Sequence, residues 1–274
     1  MTKDSNAPYA IGQGDGIVEL FRKRTVDNSA AYLKGSLEPH MRILDVGCGP
    51  GSITIDLARH VPLGHVTGVD TAAASDTLAK ARAQAEKEGV RNVEFRVGDA
   101  LALPFPDGKF DVVHAHQVLL HVDDAVGMLR EMRRVAKPGG LVACRTYDTG
   151  TLLLYPPDAR LDRLQAVFQR VMESWGRTTR AGRLAPVFAR RAGFRPADIR
   201  VTSSNYTNYT PEDRRYWAGM SINVARESPL VREALDKGFA APEEIEAAIK
   251  GWEEWAANDE GLAIGMNVEI LCRV

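Results

Sequence analysis

A short apolar run ending in an acid, Ile43-Leu44-Asp45-Val46, leads into glycines at every second position, Gly47, Gly49 and Gly51, and then into a helix-like pattern opened by Ser52. No other stretch of the chain narrows the choice of fold as far. It reads as a buried parallel strand, a tight turn and a helix whose N-terminus is left open. Glycine has no Cβ and tolerates unusual backbone angles, so a ligand can come close to bare main chain at such a turn. The first N–H groups of the helix lack partners inside the helix and favour an anionic group. Stretch 42–52 therefore predicts a small, partly anionic ligand.

The rest of the chain fits a sheet built around this unit. Residues 1–15 are polar and glycine-rich and predict a mobile arm, and 17–34 predicts two short helices interrupted near Thr25–Asn28. Beyond the glycine turn, 65–70 is a second strand-like run ending on Asp70, and an alanine-rich helix over about 72–88 is closed by Gly89. Residues 93–97 alternate as a third strand before Asp99, 110–115 is a fourth, and 141–145 a fifth after the helix stop Lys137-Pro138-Gly139-Gly140. Strands alternating with helices argue for a parallel sheet of βαβ units. Ligands of such sheets bind beyond the C-terminal ends of the strands, where Asp45, Asp70 and Asp99 would gather. Past 147 the alternation loosens. The pattern predicts a helix over 158–175 with no strand before it, a helix over 184–191, a strand over 199–203, helices across 211–258 with Pro211, Pro229 and Pro242 in first turns, and a last strand over 266–274.

Composition sets wider limits. With 274 residues, 45% hydrophobic and 26% charged, the chain is an ordinary globular one. A formal charge of −1 gives no reason to expect a nucleic-acid or membrane-surface partner. No stretch approaches the ~20 apolar residues of a membrane span, and the first residues lack the basic-then-apolar order of a secretory signal. A cytoplasmic location is the expectation. Cys48, Cys144 and Cys272 lie far apart without metal-ligand spacing and read as small core residues; no metal site is expected.

A glycine turn after a first strand also occurs in dinucleotide-binding proteins, and Asp70, 19 residues past Gly51, would suit a ribose in either class. The dinucleotide fingerprint needs glycine or alanine at 52, where this chain has Ser52. Asp45-Val46-Gly47-Cys48-Gly49-Pro50-Gly51 instead resembles motif I of the class I S-adenosylmethionine-dependent methyltransferases. Gly68-Val69-Asp70, Gly98-Asp99-Ala100-Leu101-Ala102-Leu103-Pro104-Phe105, Phe110-Asp111-Val112-Val113 and the stretch 129–140 follow in the order of that family, with a flavour of its ubiquinone-biosynthesis-like, small-molecule branch. The resemblance is dense over about 40–146. It implies a Rossmann-like, doubly wound α/β fold: a mostly parallel seven-stranded sheet with the last strand antiparallel, plus helical lid insertions. The implied organisation is an N-terminal helical arm or lid over 1–36, a cofactor-binding core over 37–204 with a helical insertion at about 150–180, a substrate-lid insertion over 205–262 and a final core strand over 263–274.

The chemistry expected of the site follows. Backbone N–H groups of the 47–52 turn, with Gly47, Cys48, Gly49 and Gly51 as named contacts, take the carboxylate of S-adenosyl-L-methionine, and Asp45 offsets its ammonium. Asp70, with Thr71 beside it, accepts from the ribose hydroxyls. Asp99 accepts from the adenine amino group, the Ala100 N–H reaches a ring nitrogen, and Leu101 and Val118 sandwich the ring. S-adenosyl-L-homocysteine is the product. Arg22, Arg24, Thr25 and Asn28 are further candidates for the cofactor carboxylate.

Methyl transfer is an in-line displacement, in which positioning supplies much of the rate and a general base helps a weakly acidic acceptor. The segment after the fourth strand carries His114, His116, Gln117 and His121. His114 reads as a satisfied structural histidine, His116 and Gln117 as cofactor contacts, and His121 or His116 as the base. Tyr9, Tyr147, Tyr155, Trp175, Tyr206, Tyr209, Tyr216 and Trp217 sit in the arm and insertions, where an aromatic pocket would suit a small or medium-sized organic acceptor; ordinary packing is the alternative for each. The leading expectation is a small-molecule methyltransferase (EC 2.1.1.-). A cofactor-binding relative catalysing another reaction such as cyclisation, and a non-enzymatic cofactor-binding module, are the alternatives. The sequence leaves the acceptor, the atom methylated and the oligomeric state open.

Overall fold

The computed structural model describes residues 21–274; the expectations for 1–15, for Tyr9 and for the start of the 17–34 helix pattern lie outside the described residues. Seven strands form one sheet in the order β3-β2-β1-β4-β5-β7-β6. They are β1 (Arg42–Val46), β2 (His65–Asp70), β3 (Val93–Val97), β4 (Phe110–His116), β5 (Ala136–Tyr155), β6 (Ile199–Asn208) and β7 (Leu262–Arg273). The pairs β1–β2, β2–β3, β1–β4 and β4–β5 are parallel. Beyond the end of β7, Gly139 N–H donates to the Val274 carbonyl and Val274 N–H donates to the Gly140 carbonyl, which ties the chain end to the start of β5. The seven-stranded, mostly parallel sheet with its last strand antiparallel is the architecture that the motif order implied.

The chain forms two compact units. One comprises Phe21–Tyr147, Ala181–Ser204 and Val268–Val274. Its sheet alternates between two apolar layers, as the two-residue period of a strand requires. Leu44, Val46, Val113, Ala115, Val142 and Cys144 pack with α5 (Ala125–Val135) and α7 (Ala181–Arg191). Ile43, Val66, Val112 and Ala143 face α1 (Val26–Ser29), α2 (Ala31–Lys34) and α3 (Ser52–His60). A third layer, Cys48, Ile55, Leu78, Ala81, Ala85 and Phe95, lies under α4 (Ser75–Lys87). All three cysteines are free and buried, as expected.

Two expectations for this unit change. The segment read as an interruption, 25–28, is where α1 begins: Thr25 is its N-cap and exchanges a capping box with Asn28. These two side chains are spent on the helix start, not on a cofactor carboxylate. The stretch Lys137-Pro138-Gly139-Gly140 does stop α5, but β5 already starts at Ala136, pairs there with Phe110, and resumes its register at Val112↔Leu141 across an irregularity.

The second unit comprises, among the described residues, Asp148–Arg180 and Asn205–Asn267. It holds α6 (Ala159–Ser174), α8 (Pro211–Glu227), α9 (Pro229–Asp236) and α10 (Pro242–Ala257). The prolines expected in first turns sit at the first position of α8, α9 and α10. β5 runs on to Tyr155, so α6 does have a strand before it, and the insertion expected to be helical from about 150 opens as strand. Likewise β6 extends through 205–208 into the segment read as helical. Neither extension alternates apolar and polar residues: 151–155 runs Thr-Leu-Leu-Leu-Tyr and 205–208 is Asn-Tyr-Thr-Asn, so no two-residue period marks them as strand. Inside this unit Arg163 pairs with Glu244 at 2.9 Å, tying α6 to α10, and Arg214 is buried with its guanidinium donating to the Tyr209 carbonyl at 2.7 Å. No described helix is long and apolar enough to cross a membrane.

Candidate functional site

The glycine turn joins the C-terminal end of β1 to α3. Gly47, Gly49 and Gly51 all have positive φ, 70°, 51° and 77°. A Cβ at Gly47 would lie 2.5 Å from Val118 Cγ2, so the turn closes against the segment after β4. Most of its N–H groups are spent within the protein: Gly47 and Cys48 donate to the Val69 carbonyl, Gly51 to the Cys48 carbonyl, and Gly49 to an Asp70 carboxylate oxygen at 2.7 Å. The expectation that these four receive an anion is revised accordingly. The donors without an acceptor among the described residues are those of Ser52, Ile53 and Thr54 in the first turn of α3, because the i−4 pattern starts at Ile55, which donates to the Gly51 carbonyl. Ser52 Oγ donates to the Phe21 carbonyl at 2.9 Å. Cys48 is buried with its Sγ against Gly68.

Asp70 ends β2 half-buried. Its second oxygen accepts from its neighbour Thr71 N–H at 2.8 Å. Burial pushes its carboxyl up from the ordinary range, against the two N–H bonds and with the nearby Asp45 charge adding to the rise. Gly98 N–H donates to the Asp70 carbonyl at 2.8 Å, which sets Asp99 beside it at the next strand end. Asp99 is exposed, and one of its oxygens accepts from Leu101 N–H at 2.8 Å. Leu101 is 39% exposed although apolar, while Ala100 and Val118 pack on the core layer below. Asp70, Asp99, Ala100, Leu101 and the open first turn of α3 therefore share one edge of this unit.

Asp45 does not join them. It is 2% exposed; Thr54 Oγ1 donates to one of its oxygens at 2.7 Å, and His114 Nδ1 lies 2.8 Å from the other. Both oxygens are engaged inside the protein, which takes Asp45 away from the ammonium contact expected of it. The Asp45 and His114 side chains form one buried pair between β1 and β4, held through His114 Nδ1. His114 Nε2 has no partner, so His114 is the structural histidine expected but only half satisfied.

His116 shares the His114 face two residues on, in register with Arg145. It is buried; neither ring nitrogen makes a hydrogen bond of good geometry among the described residues, although the Ser29 main chain lies close enough to favour the protonated ring slightly. Burial, then the charges of Arg24 and Arg145, hold its pKa well below the usual histidine value, so the ring is neutral near pH 7. The Tyr32 hydroxyl is a further buried polar atom without a partner, its pKa pushed well up by burial and by the neighbouring Cys144 and Glu269. Orphaned buried polar atoms are rare in folded proteins. Two of them on one ring at the C-terminal end of β4 fit a site that receives a polar group from a ligand. Gln117 follows at φ 59°; its N–H donates to the Arg145 carbonyl, and its Oε1 accepts from Tyr147 N–H at 2.8 Å. That oxygen locks β4 to β5 instead of facing a cofactor. His121 is half-buried in the turn that follows, its N–H on the Val118 carbonyl. Arg24 stacks over Phe21 at 3.9 Å.

Sequence reasoning missed the Asp45–His114 pair and a buried network across β5, β6 and β7. Glu269 there accepts from Thr202 and Ser204 at 2.6 Å each and lies 3.4 Å from Arg145 Nε. Glu269, next to the apolar run 270–272 of the last strand, was the available signal. Of the aromatics, Tyr155 and Tyr209 are exposed, while Tyr206 and Trp217 pack together with ring centres 6.0 Å apart within the second unit.

A family model described as a methyltransferase domain matches residues 37–192, more than half of the chain. The chain belongs to the methyltransferase-domain family. An uncharacterised methyltransferase of Schizosaccharomyces pombe is 33% identical over 259 residues, covering 92% of this chain and 91% of its own. The demethylmenaquinone methyltransferase of Lactococcus lactis is 41% identical over 116 residues, 42% of this chain and 45% of its own. Among solved structures, Haemonchus contortus phosphoethanolamine N-methyltransferase 2 in complex with S-adenosyl-L-methionine matches with a TM-score of 0.56 at 20% identity, over 94% of this chain and 56% of that one. At that identity the likeness is one of fold.

Proposed function

We propose that this methyltransferase moves the methyl group of S-adenosyl-L-methionine to a small or medium-sized organic acceptor. One observation carries the donor half of the reading: Asp70, its carboxylate braced by two backbone N–H groups, stands next to exposed Asp99 on the edge where the first turn of α3 is open. A carboxylate retains lone pairs beyond two N–H bonds, so Asp70 suits the ribose diol. Asp99 suits the adenine amino group, with the Ala100 N–H toward a ring nitrogen and Leu101 and Val118 as the apolar faces. Ser52, Ile53 and Thr54 N–H receive the cofactor carboxylate. When bound, the cofactor would supply an electrophilic methyl on its sulfonium, which the acceptor nucleophile would take in line as the C–S bond breaks and S-adenosyl-L-homocysteine leaves as a neutral thioether.

His116 orients whatever polar group reaches the end of β4. A ring this reluctant to hold a proton is a good hydrogen-bond acceptor near pH 7 and a weak base. The base, for an acceptor that needs one, is assigned to His121. Acceptor choice is assigned to 148–180 and 205–267, to which the family model contributes only the first segment, and the Tyr206–Trp217 pair supports an organic acceptor with an apolar or aromatic body.

Calorimetry with S-adenosyl-L-homocysteine, followed by a labelled-methyl acceptor screen, tests the reading. Asp70→Ala is expected to weaken cofactor affinity tenfold or more, since charge-assisted hydrogen bonds contribute ~1.5–3 kcal/mol each. His121→Ala is expected to abolish turnover with affinity intact. No heat with either form of the cofactor sinks the proposal. Cofactor binding with consumption of a substrate but no label transfer points to a non-methylating reaction such as cyclisation.

A further inference from the structure

A cleft opens at the opposite edge of the first unit, where β4 and β5 begin, and takes no part in the reaction above. It encloses about 590 Å³ between Arg130, Arg133 and Arg134 of α5, Asp107, Pro138 and Ala192. That volume is in the range of small-molecule sites. The three arginines are not equivalent. Arg134 is consumed by the protein: it pairs with Glu131 and Asp107 at 2.7 Å each and donates to the Phe105 and Leu103 carbonyls. Its place in the last turn of α5 is also the ordinary one for a basic residue, given the helix dipole.

Arg133 shares that last turn but not the carboxylates, and Arg130 has neither account. Arg130 donates to the Arg191 carbonyl at 3.2 Å, and Arg133 stands 5.6 Å over the Phe194 ring. Neither has a carboxylate partner among the described residues, and both are exposed. Gly193, at φ 97°, leaves room for the Arg133 guanidinium, because a Cβ there would lie 3.1 Å from Nη1. Residues three apart on a helix are neighbours, so the two cations repel. Each guanidinium is a fork that matches an oxyanion in two-point fashion, and two forks one helical turn apart match two linked oxyanions.

We propose that this cleft binds a small dianion, a diphosphate group, at a site separate from the cofactor edge. Titration of the intact protein with inorganic pyrophosphate in saturating S-adenosyl-L-homocysteine tests it. The expected result is one site per chain, at least tenfold tighter than for orthophosphate, weakened at least tenfold by Arg130→Gln and by Arg133→Gln, with unchanged thermal midpoints showing that both variants fold. No heat, equal affinity for orthophosphate, or pyrophosphate binding untouched by both substitutions overturns the proposal. So does malonate binding as tightly as pyrophosphate. Because the cofactor product is present throughout, its own binding is read separately, and failure here leaves the methyltransferase reading standing.

Discussion

Replacing Gly51 by alanine tests how the glycine turn is held, and Gly49→Ala is its internal control. Both residues have positive φ, 77° and 51°, so either alanine carries the left-handed penalty of about 1–2 kcal/mol. Their surroundings differ. A Cβ on Gly49 meets nothing within 4 Å, whereas one on Gly51 would lie 2.6 and 2.7 Å from Phe95 Cε1 and Cζ and 2.9 Å from Ala81 Cβ. Phe95 is 5% exposed and packed with Cys48, Ile55 and Leu78, and Ala81 is fixed on α4, so neither neighbour can swing into solvent. Overpacking a filled core costs about 1–3 kcal/mol. Gly51→Ala is then expected to lose about 2–5 kcal/mol against about 1–2 for Gly49→Ala. At roughly 2–4 °C per kcal/mol for a protein of this size, the thermal midpoints should differ by roughly 2–12 °C. Differential scanning calorimetry of the two variants reads the gap directly. Equal midpoints would show that backbone strain alone sets the cost and that the Phe95 ring does not wall the turn.

Two further outcomes are expected. Because burial and the charges of Arg24 and Arg145 depress the folded-state pKa of His116, the unfolded chain takes up its proton first as pH falls below about 6.5. Stability is then lost toward acid with a slope of up to about 1.4 kcal/mol per pH unit, and His116→Gln should flatten urea midpoints measured between pH 7 and pH 5; parallel profiles would contradict the assignment. Burial also pushes the Cys48 and Cys144 thiols well up and Cys272 to about 12, so a thiol reagent at pH 8 should label all three rapidly in urea and none rapidly in the native protein. Fast native labelling of any one of them would refute its burial.

The core was legible in the sequence because its signals are local. The run 42–46, the glycines at every second position and the acids at 70 and 99 each report a strand end or a turn from within about ten residues, and the parallel order followed from strands alternating with helices. The first-turn prolines 211, 229 and 242 were legible for the same reason. What the sequence by itself determined was the layer architecture and the strand-end edge on which the donor site is proposed. Only the tertiary structure decided which members of the motif face that edge. Asp45 reads as a site acid, yet strand alternation and the β1–β4 register turn it inward onto His114 and Thr54. The glycine N–H groups look open, yet the end of β2 supplies their acceptors at Val69 and Asp70. Such pairings join residues as far apart as Asp45 and His114, or Arg145 and Glu269, and no periodicity within one segment encodes them. Burial makes them firm, since a charged or polar group removed from water must find its partner wherever the fold brings one.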